Sequence, residues 1–200
     1  MKYLVAILML VFTTVVGVAK TAPKIPDVTD EQLVQRYIKD LNNLSYEQRG
    51  LAFEIARLTF AFNLSYTAIA IAWQESNLDK YPVNLSDPSC GPFHKMVVPY
   101  LKGRDRRVNS FTKNQACAEL MSDIELSTSV FLEDMEYWKL SLKRRGIKEN
   151  TLTYMIRSYN AGYNVNSKAA KDYEKSVKAR IKALQQDKEI VDYINSLEIK

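Results

Sequence analysis

Ala68 to Pro82 reads AIAIAWQESNLDKYP, and the stretch sets a problem of charge placement. At 3.6 residues per turn Glu75 shares a stripe with Ala68, Ile71 and Ala72, so the acid stands on the apolar face of a helix. No basic residue before Lys80 is there to neutralise it. A carboxyl group in such a place finds hydrogen-bond partners or keeps its proton to a higher pH than its ordinary value of about 4.3. A structural ion pair leaves the same trace as a catalytic acid, so the rest of the chain must decide between them.

Helical spacing continues on both sides of this stretch. Leu33, Tyr37, Leu41 and Leu44 mark a first helix from about Asp30, and Ser45 with Gln48 forms a capping-box signature for a second carrying Leu51, Ile55, Leu58 and Phe62. Ser65 is expected to cap the helix that delivers Glu75. From Leu78 to Arg107 the periodicity fails, and Pro82, Pro88, Gly91, Pro92, Pro99 and Gly103 punctuate an irregular region, with room for a short helix at His94–Leu101. Loops of this length usually carry function.

Downstream, Leu120, Ile124, Phe131, Met135, Trp138 and Leu142 predict one long helix over Lys113–Lys143, the expected core spine. Thr151 is placed to cap the next, where Leu152, Met155, Ile156 and Tyr159 recur until Gly162. Ser167 opens a helix bearing Tyr173, Val177, Ile181 and Leu184, and Asp187 opens a last one through Leu197. With no sustained period-two alternation, the fold class is all-α, built on a long central helix with an irregular loop beside it.

The chain has 200 residues, 46% of them apolar, which suits one domain with a real core. Its first residues differ: Lys2 precedes an uncharged apolar run from Tyr3 to Val18, with small residues at Gly17 and Ala19. Residues 1–19 therefore read as a secretory signal peptide, 20–29, with Pro23 and Pro26, as a linker, and 30–200 as the folded domain. The alternative is an uncleaved membrane anchor, the one route by which the chain would touch a membrane. Both place the remainder outside the cytoplasmic membrane, in the periplasm or cell envelope.

In an oxidising compartment Cys90 and Cys117 favour a disulfide, two free thiols being the other possibility. Two cysteines and the single His94 make no zinc spacing, so neither metal nor cofactor is expected. The net charge of +5 is gathered at Lys102, Arg104, Arg106 and Arg107 and at Lys143, Arg144 and Arg145. Such clusters suit an anionic polymer or are merely solvated faces. No nucleic-acid motif accompanies them, and an exported protein rarely meets nucleic acid.

Three segments follow one another in order: Gln74-Glu75-Ser76, then Ser89-Cys90-Gly91-Pro92-Phe93-His94, then Ser158-Tyr159-Asn160-Ala161-Gly162. Together they resemble the lytic transglycosylase branch of the lysozyme-like superfamily. There a Glu-Ser pair ends a helix, a Gly-Leu-Met-Gln segment follows, and an Ala-Tyr-Asn-Ala-Gly segment comes later. The resemblance covers roughly Leu51 to Tyr173. It departs at Gly91-Pro92-Phe93-His94, where His94 stands in for a sugar-contacting glutamine, and at Ser158 in place of alanine.

The resemblance implies a lysozyme-like helical domain acting on peptidoglycan glycan strands at the bond between N-acetylmuramic acid and N-acetylglucosamine. Glu75 would be the acid and then the base, and Ser76, Phe93, His94, Tyr159 and Asn160 would support or contact the glycan, with the Tyr159 hydroxyl orienting the Glu75 carboxyl. Tyr173 falls where similar enzymes place a cleft-lining aromatic, although its stripe reads first as core. A two-carboxylate mechanism needs a second acid, and the nearby candidates, Asp79 and Asp87, read as turn residues. With a lone acid, the 6-hydroxyl of the muramic acid is the nucleophile and the product a 1,6-anhydro sugar. The alternatives are a hydrolase resembling goose-type lysozyme and a non-catalytic peptidoglycan-binding protein.

Overall fold

The computed structural model describes residues 28–86 and 88–199. The leader expected at 1–19, most of the linker expected at 20–29, and Asp87 lie outside the described residues. Nine α-helices are found among those described: α1 (Asp30–Leu41), α2 (Tyr46–Thr59), α3 (Ser65–Ser76), α4 (Val97–Lys102), α5 (Ser110–Ser122), α6 (Ile124–Arg144), α7 (Thr151–Ala161), α8 (Lys168–Leu184) and α9 (Lys188–Ser196). The class is all-α. None of these helices is long and apolar enough to cross a membrane.

The helix at the centre is α3, and the long α6 packs on α7 and α2. Ala68, Ile69, Ala70, Ile71, Ala72 and Trp73 are all buried, so α3 is apolar on every face rather than along one stripe, as befits a helix enclosed by its neighbours. It packs between α2 and α8, while α1 and α7 lie against α8 and α6 closes the far side of α7. The expected spine is two helices. Asp123 interrupts it with extended backbone (φ −121°, ψ 99°), and its carboxylate accepts the Leu126 N–H at 2.8 Å, so that α6 starts afresh with its own cap.

Capping explains most of the other boundaries. Thr29 and Ser45 make full capping boxes with Gln32 and Gln48, so Thr29 belongs to the folded domain and not to a linker. Ser167 and Asp187 cap α8 and α9. Two expected caps are different: Leu64 stands at the start of α3 and Asn150, at φ 52°, at the start of α7, neither with a side-chain cap. The Ser65 hydroxyl donates instead to the Ala56 carbonyl of α2 at 3.0 Å.

A small sheet that periodicity missed occupies the irregular region. Strands β1 (Val83–Asn84), β2 (Ser89–Cys90) and β3 (Lys95–Met96) run antiparallel in that order, with Val83 opposite Cys90 and Cys90 opposite Lys95. Two-residue strands are too short to show alternation. Beneath them Cys90, Val97, Tyr100, Leu101, Ala116, Leu120 and Val130 form a second, smaller core. Cys90 and Cys117 are disulfide-bonded across it, tying β2 to α5. Closing a loop of 27 residues contributes about 3–4 kcal/mol in the chain-entropy account.

Candidate active site

Glu75 occupies the last turn of α3, where that enclosed helix emerges, and its side chain keeps 21% of its surface. Both carboxylate oxygens are engaged. Oε1 accepts the Tyr173 hydroxyl from α8 at 2.5 Å, and Oε2 lies 3.6 Å from His94 Nδ1. His94 Nε2 is 2.8 Å from the Tyr81 carbonyl. A carbonyl only accepts, so Nε2 carries a proton and Nδ1 is the atom that meets the acid.

The hairpin turn between β2 and β3 is what presents His94. Gly91 (φ 78°) and His94 (φ 44°) both take the left-handed region, and the His94 N–H closes the turn onto the Gly91 carbonyl at 3.1 Å. Ser76 clips this turn to α3: its hydroxyl donates to the Pro92 carbonyl at 2.8 Å and accepts the Asp79 N–H at 2.8 Å. At 0% exposure Ser76 has no surface to offer a glycan, so its work is positional. Phe93, 2% exposed, is likewise internal, stacked on Phe131 of α6 with ring centroids 4.5 Å apart.

Tyr159 and Asn160 lie at the end of α7, Tyr159 half-buried and Asn160 exposed. The Tyr159 hydroxyl donates to the Phe93 carbonyl at 2.7 Å. The hydroxyl that holds Glu75 is therefore that of Tyr173, while Tyr159 holds the hairpin turn. Burial, and then the charge of Glu75, push both phenols well above their ordinary range, so each stays a proton donor. The Arg157–Glu174 pair, 2.8 Å apart, ties α7 to α8 one residue from Tyr173.

Behind the acid, Gln74 is fixed from α8, with α1 one bond further back. Its Oε1 accepts Arg180 Nη1 at 2.6 Å and the Ser176 hydroxyl at 2.7 Å, and Tyr37 of α1 bonds to that same Ser176 at 2.7 Å. The guanidinium of Arg180 lies 3.9 Å from the Tyr37 ring centroid, a cation-π contact in a nearly closed setting.

Asp79 is the residue the sequence undervalued. Asn77, Leu78 and Asp79 are consecutive left-handed residues (φ 55°, 54° and 65°), each costing about 1–2 kcal/mol. Buried Leu78 anchors the turn, and Gln48 Nε2 donates to the Asn77 carbonyl at 2.7 Å. The turn folds Asp79 back toward His94. Burial raises the Asp79 carboxyl, opposed by the His94 charge, and Oδ1 has no hydrogen-bond partner. A turn of three strained residues that returns a half-buried acid to the site is the kind of feature local sequence does not announce.

A further carboxylate, Asp134 of α6, holds Lys95 Nζ at 2.6 Å from each of its oxygens and lifts the Tyr159 phenol electrostatically. Among the described residues no group of three or more His, Cys, Asp or Glu is arranged to hold a metal ion. The arrangement offers a fixed, partly exposed carboxyl for proton transfer, an imidazole beside it, and a second acid one step behind. No protein-family model, curated protein or solved structure matches the chain.

Proposed function

We propose that the chain is an exported peptidoglycan lytic transglycosylase of the cell envelope, with a lysozyme-like catalytic domain, that cuts the β-1,4 bond between N-acetylmuramic acid and N-acetylglucosamine. One observation carries the reading: Glu75 leaves the end of a helix buried from Thr67 to Trp73, keeps 21% of its side-chain surface, and has one oxygen held by a phenol that stays protonated. Such a carboxyl is fixed in direction yet reachable, as a general acid must be. The three ordered sequence segments add support, since their residues meet around this acid.

In this reaction Glu75 gives its proton to the departing glycosidic oxygen as the bond to the anomeric carbon breaks. The 6-hydroxyl of the muramic acid attacks that carbon and surrenders its proton to the Glu75 carboxylate. The acid is regenerated, no water is consumed, and a 1,6-anhydro sugar ends the strand. Tyr173 holds Oε1 through both half-reactions, while Asn160, exposed beside Tyr159, takes the glycan. Digestion of purified sacculi tests the reading: released muropeptides one water lighter than reducing-end products support it, and sacculi left intact refute it. Glu75→Gln should fold normally and release nothing.

A hydrolase is the second reading, and Asp79 favours it. A half-buried second acid whose charge acts on the imidazole beside Glu75 supplies the second carboxylate that such a mechanism needs. Ordinary reducing ends in the same digest, lost on Asp79→Asn, would select this reading.

A further inference from the structure

The two basic clusters of the chain meet different fates. In the first, Arg104 pairs with Glu133 at 3.0 Å and Arg106 with Glu119 at 2.7 Å, so half of its four cations are neutralised. In the second, Lys143, Arg144 and Arg145 end α6 exposed, and no carboxylate among the described residues forms an ion pair with them. What they adjoin is aromatic. Tyr137 and Trp138 of α6 meet edge-on at 4.9 Å, Trp138 meets Tyr163 edge-on at 5.3 Å, and the Tyr137 and Tyr163 hydroxyls lie 2.6 Å apart.

Tyr137 is 46% and Tyr163 59% exposed. The Arg145 guanidinium stands 5.7 Å from the Tyr163 ring centroid, and the Arg144 charge acts on both phenols. Grouped exposed aromatics with a polar rim are unusual on a surface with nothing to bind. These rings are mutually braced, so a ligand would meet them with little conformational entropy left to lose.

Their position is continuous with the candidate active site. Trp138 lies two helical turns along α6 from Phe131, about 10 Å at 1.5 Å per residue, and Phe131 touches both Phe93 and Tyr159. From the other side Tyr163 follows Tyr159 by four residues, past Gly162, beneath which the Trp138 ring lies. Exposed Asn160 lies between Tyr159 and Tyr163 in sequence.

We propose that Tyr137, Trp138 and Tyr163, rimmed by Arg144 and Arg145, form a further subsite for a carboxylate-bearing glycan, gripping the strand away from the bond being cut. Pyranose faces are apolar and lie flat on aromatic rings, while the free cations call for carboxylates, which peptide-substituted strands of peptidoglycan carry. The inference rests on the function proposed above.

Pelleting with sacculi tests it, using the full chain in its Glu75→Gln form so that binding is read without turnover. Adding Tyr137→Ala with Tyr163→Ala should weaken binding about tenfold, and Arg144→Ala with Arg145→Ala should flatten its salt dependence. Tyr137→Phe with Tyr163→Phe keeps the rings and should bind as the parent does, guarding against a folding defect. In the active chain the Tyr-to-Ala pair should lower the preference for long strands over tetrasaccharides about tenfold.

Unchanged pelleting by the Tyr-to-Ala pair overturns the subsite. So does an equal loss on long strands and tetrasaccharides, which would mark a disturbed active site, and so does self-association abolished by the pair, which would make the patch a contact between copies. If the unmodified chain binds sacculi through these residues but releases nothing, the catalytic reading fails while the subsite stands.

Discussion

The Tyr173 hydroxyl stands 2.5 Å from Glu75 Oε1 and joins α8 to the last turn of α3 across 98 residues of sequence. Burial keeps that phenol protonated, so the bond is donated to the acid in whichever state the acid takes. Replacing Tyr173 by Phe removes the donor and keeps the ring. A hydrogen bond to a charged group is worth about 1.5–3 kcal/mol, and each 1.4 kcal/mol is tenfold in rate. Tyr173→Phe should therefore lower kcat about 10- to 100-fold while the far-ultraviolet circular dichroism stays that of the parent. An unaltered kcat would show that the bond does not matter to the reaction. Tyr159→Phe gives a contrast: its hydroxyl holds the Phe93 carbonyl, so the loss should come through a looser hairpin and a lower melting temperature.

His94 makes stability depend on pH. Burial alone would lower its pKa, but the Glu75 carboxylate 3.6 Å away, the hydrogen bond to the Tyr81 carbonyl and the charge of Asp79 outweigh burial and raise it. Since the folded value lies above the unfolded one of about 6.5, the contribution of the charged imidazole is fully present below about pH 6.5. It is lost as pH rises through the folded value. His94→Gln removes the titration. The melting-temperature gap between parent and variant should be widest near pH 5 and narrow steadily above pH 6.5 in thermal melts. A gap independent of pH would show that His94 is not cationic in the fold.

Most of the helical architecture was legible because helices announce themselves locally. Spacing marked the buried faces of α1, α7 and α8, and Ser45, Ser167 and Asp187 fixed the starts of α2, α8 and α9, whereas the Thr29 cap was read as linker. The misjudged points have particular causes. Asp123 carries a cap signal that an unbroken apolar stripe outweighed. The strands at Val83, Ser89 and Lys95 are two residues long and exist through pairing with each other. At the site, Glu75 was visible as an acid on an apolar face and His94 by its place in the second segment, but their partners were not. Tyr173 sits on a core stripe, and only the rule that a buried phenol needs a partner hinted at a second role. Asp79 reached the site through a left-handed turn that no residue type in Asn77-Leu78-Asp79 demands.

Gly91 is the position where the fold leaves least room. Its φ of 78° already disfavours any side chain, and a Cβ there would fall 2.4 Å from the Leu120 carbonyl oxygen and 3.1 Å from Ser127 Oγ. Neither neighbour is free to yield, because the Ser127 hydroxyl donates to that same carbonyl at the end of α5. Gly146 provides the control, with a similar φ of 75° and nothing within 4 Å of its added Cβ. Gly146→Ala should cost about 1 kcal/mol for backbone conformation alone. Gly91→Ala should cost about 2–4 kcal/mol, the same conformational cost plus overpacking, or a fall of about 5–15 °C in Tm for a domain of this size. It should also depress activity beyond the loss of folded protein, because Phe93 and His94 ride on the same turn. Equal costs at the two glycines, measured by urea unfolding, would mean that the hairpin does not press against α5 as closely as Gly91 requires.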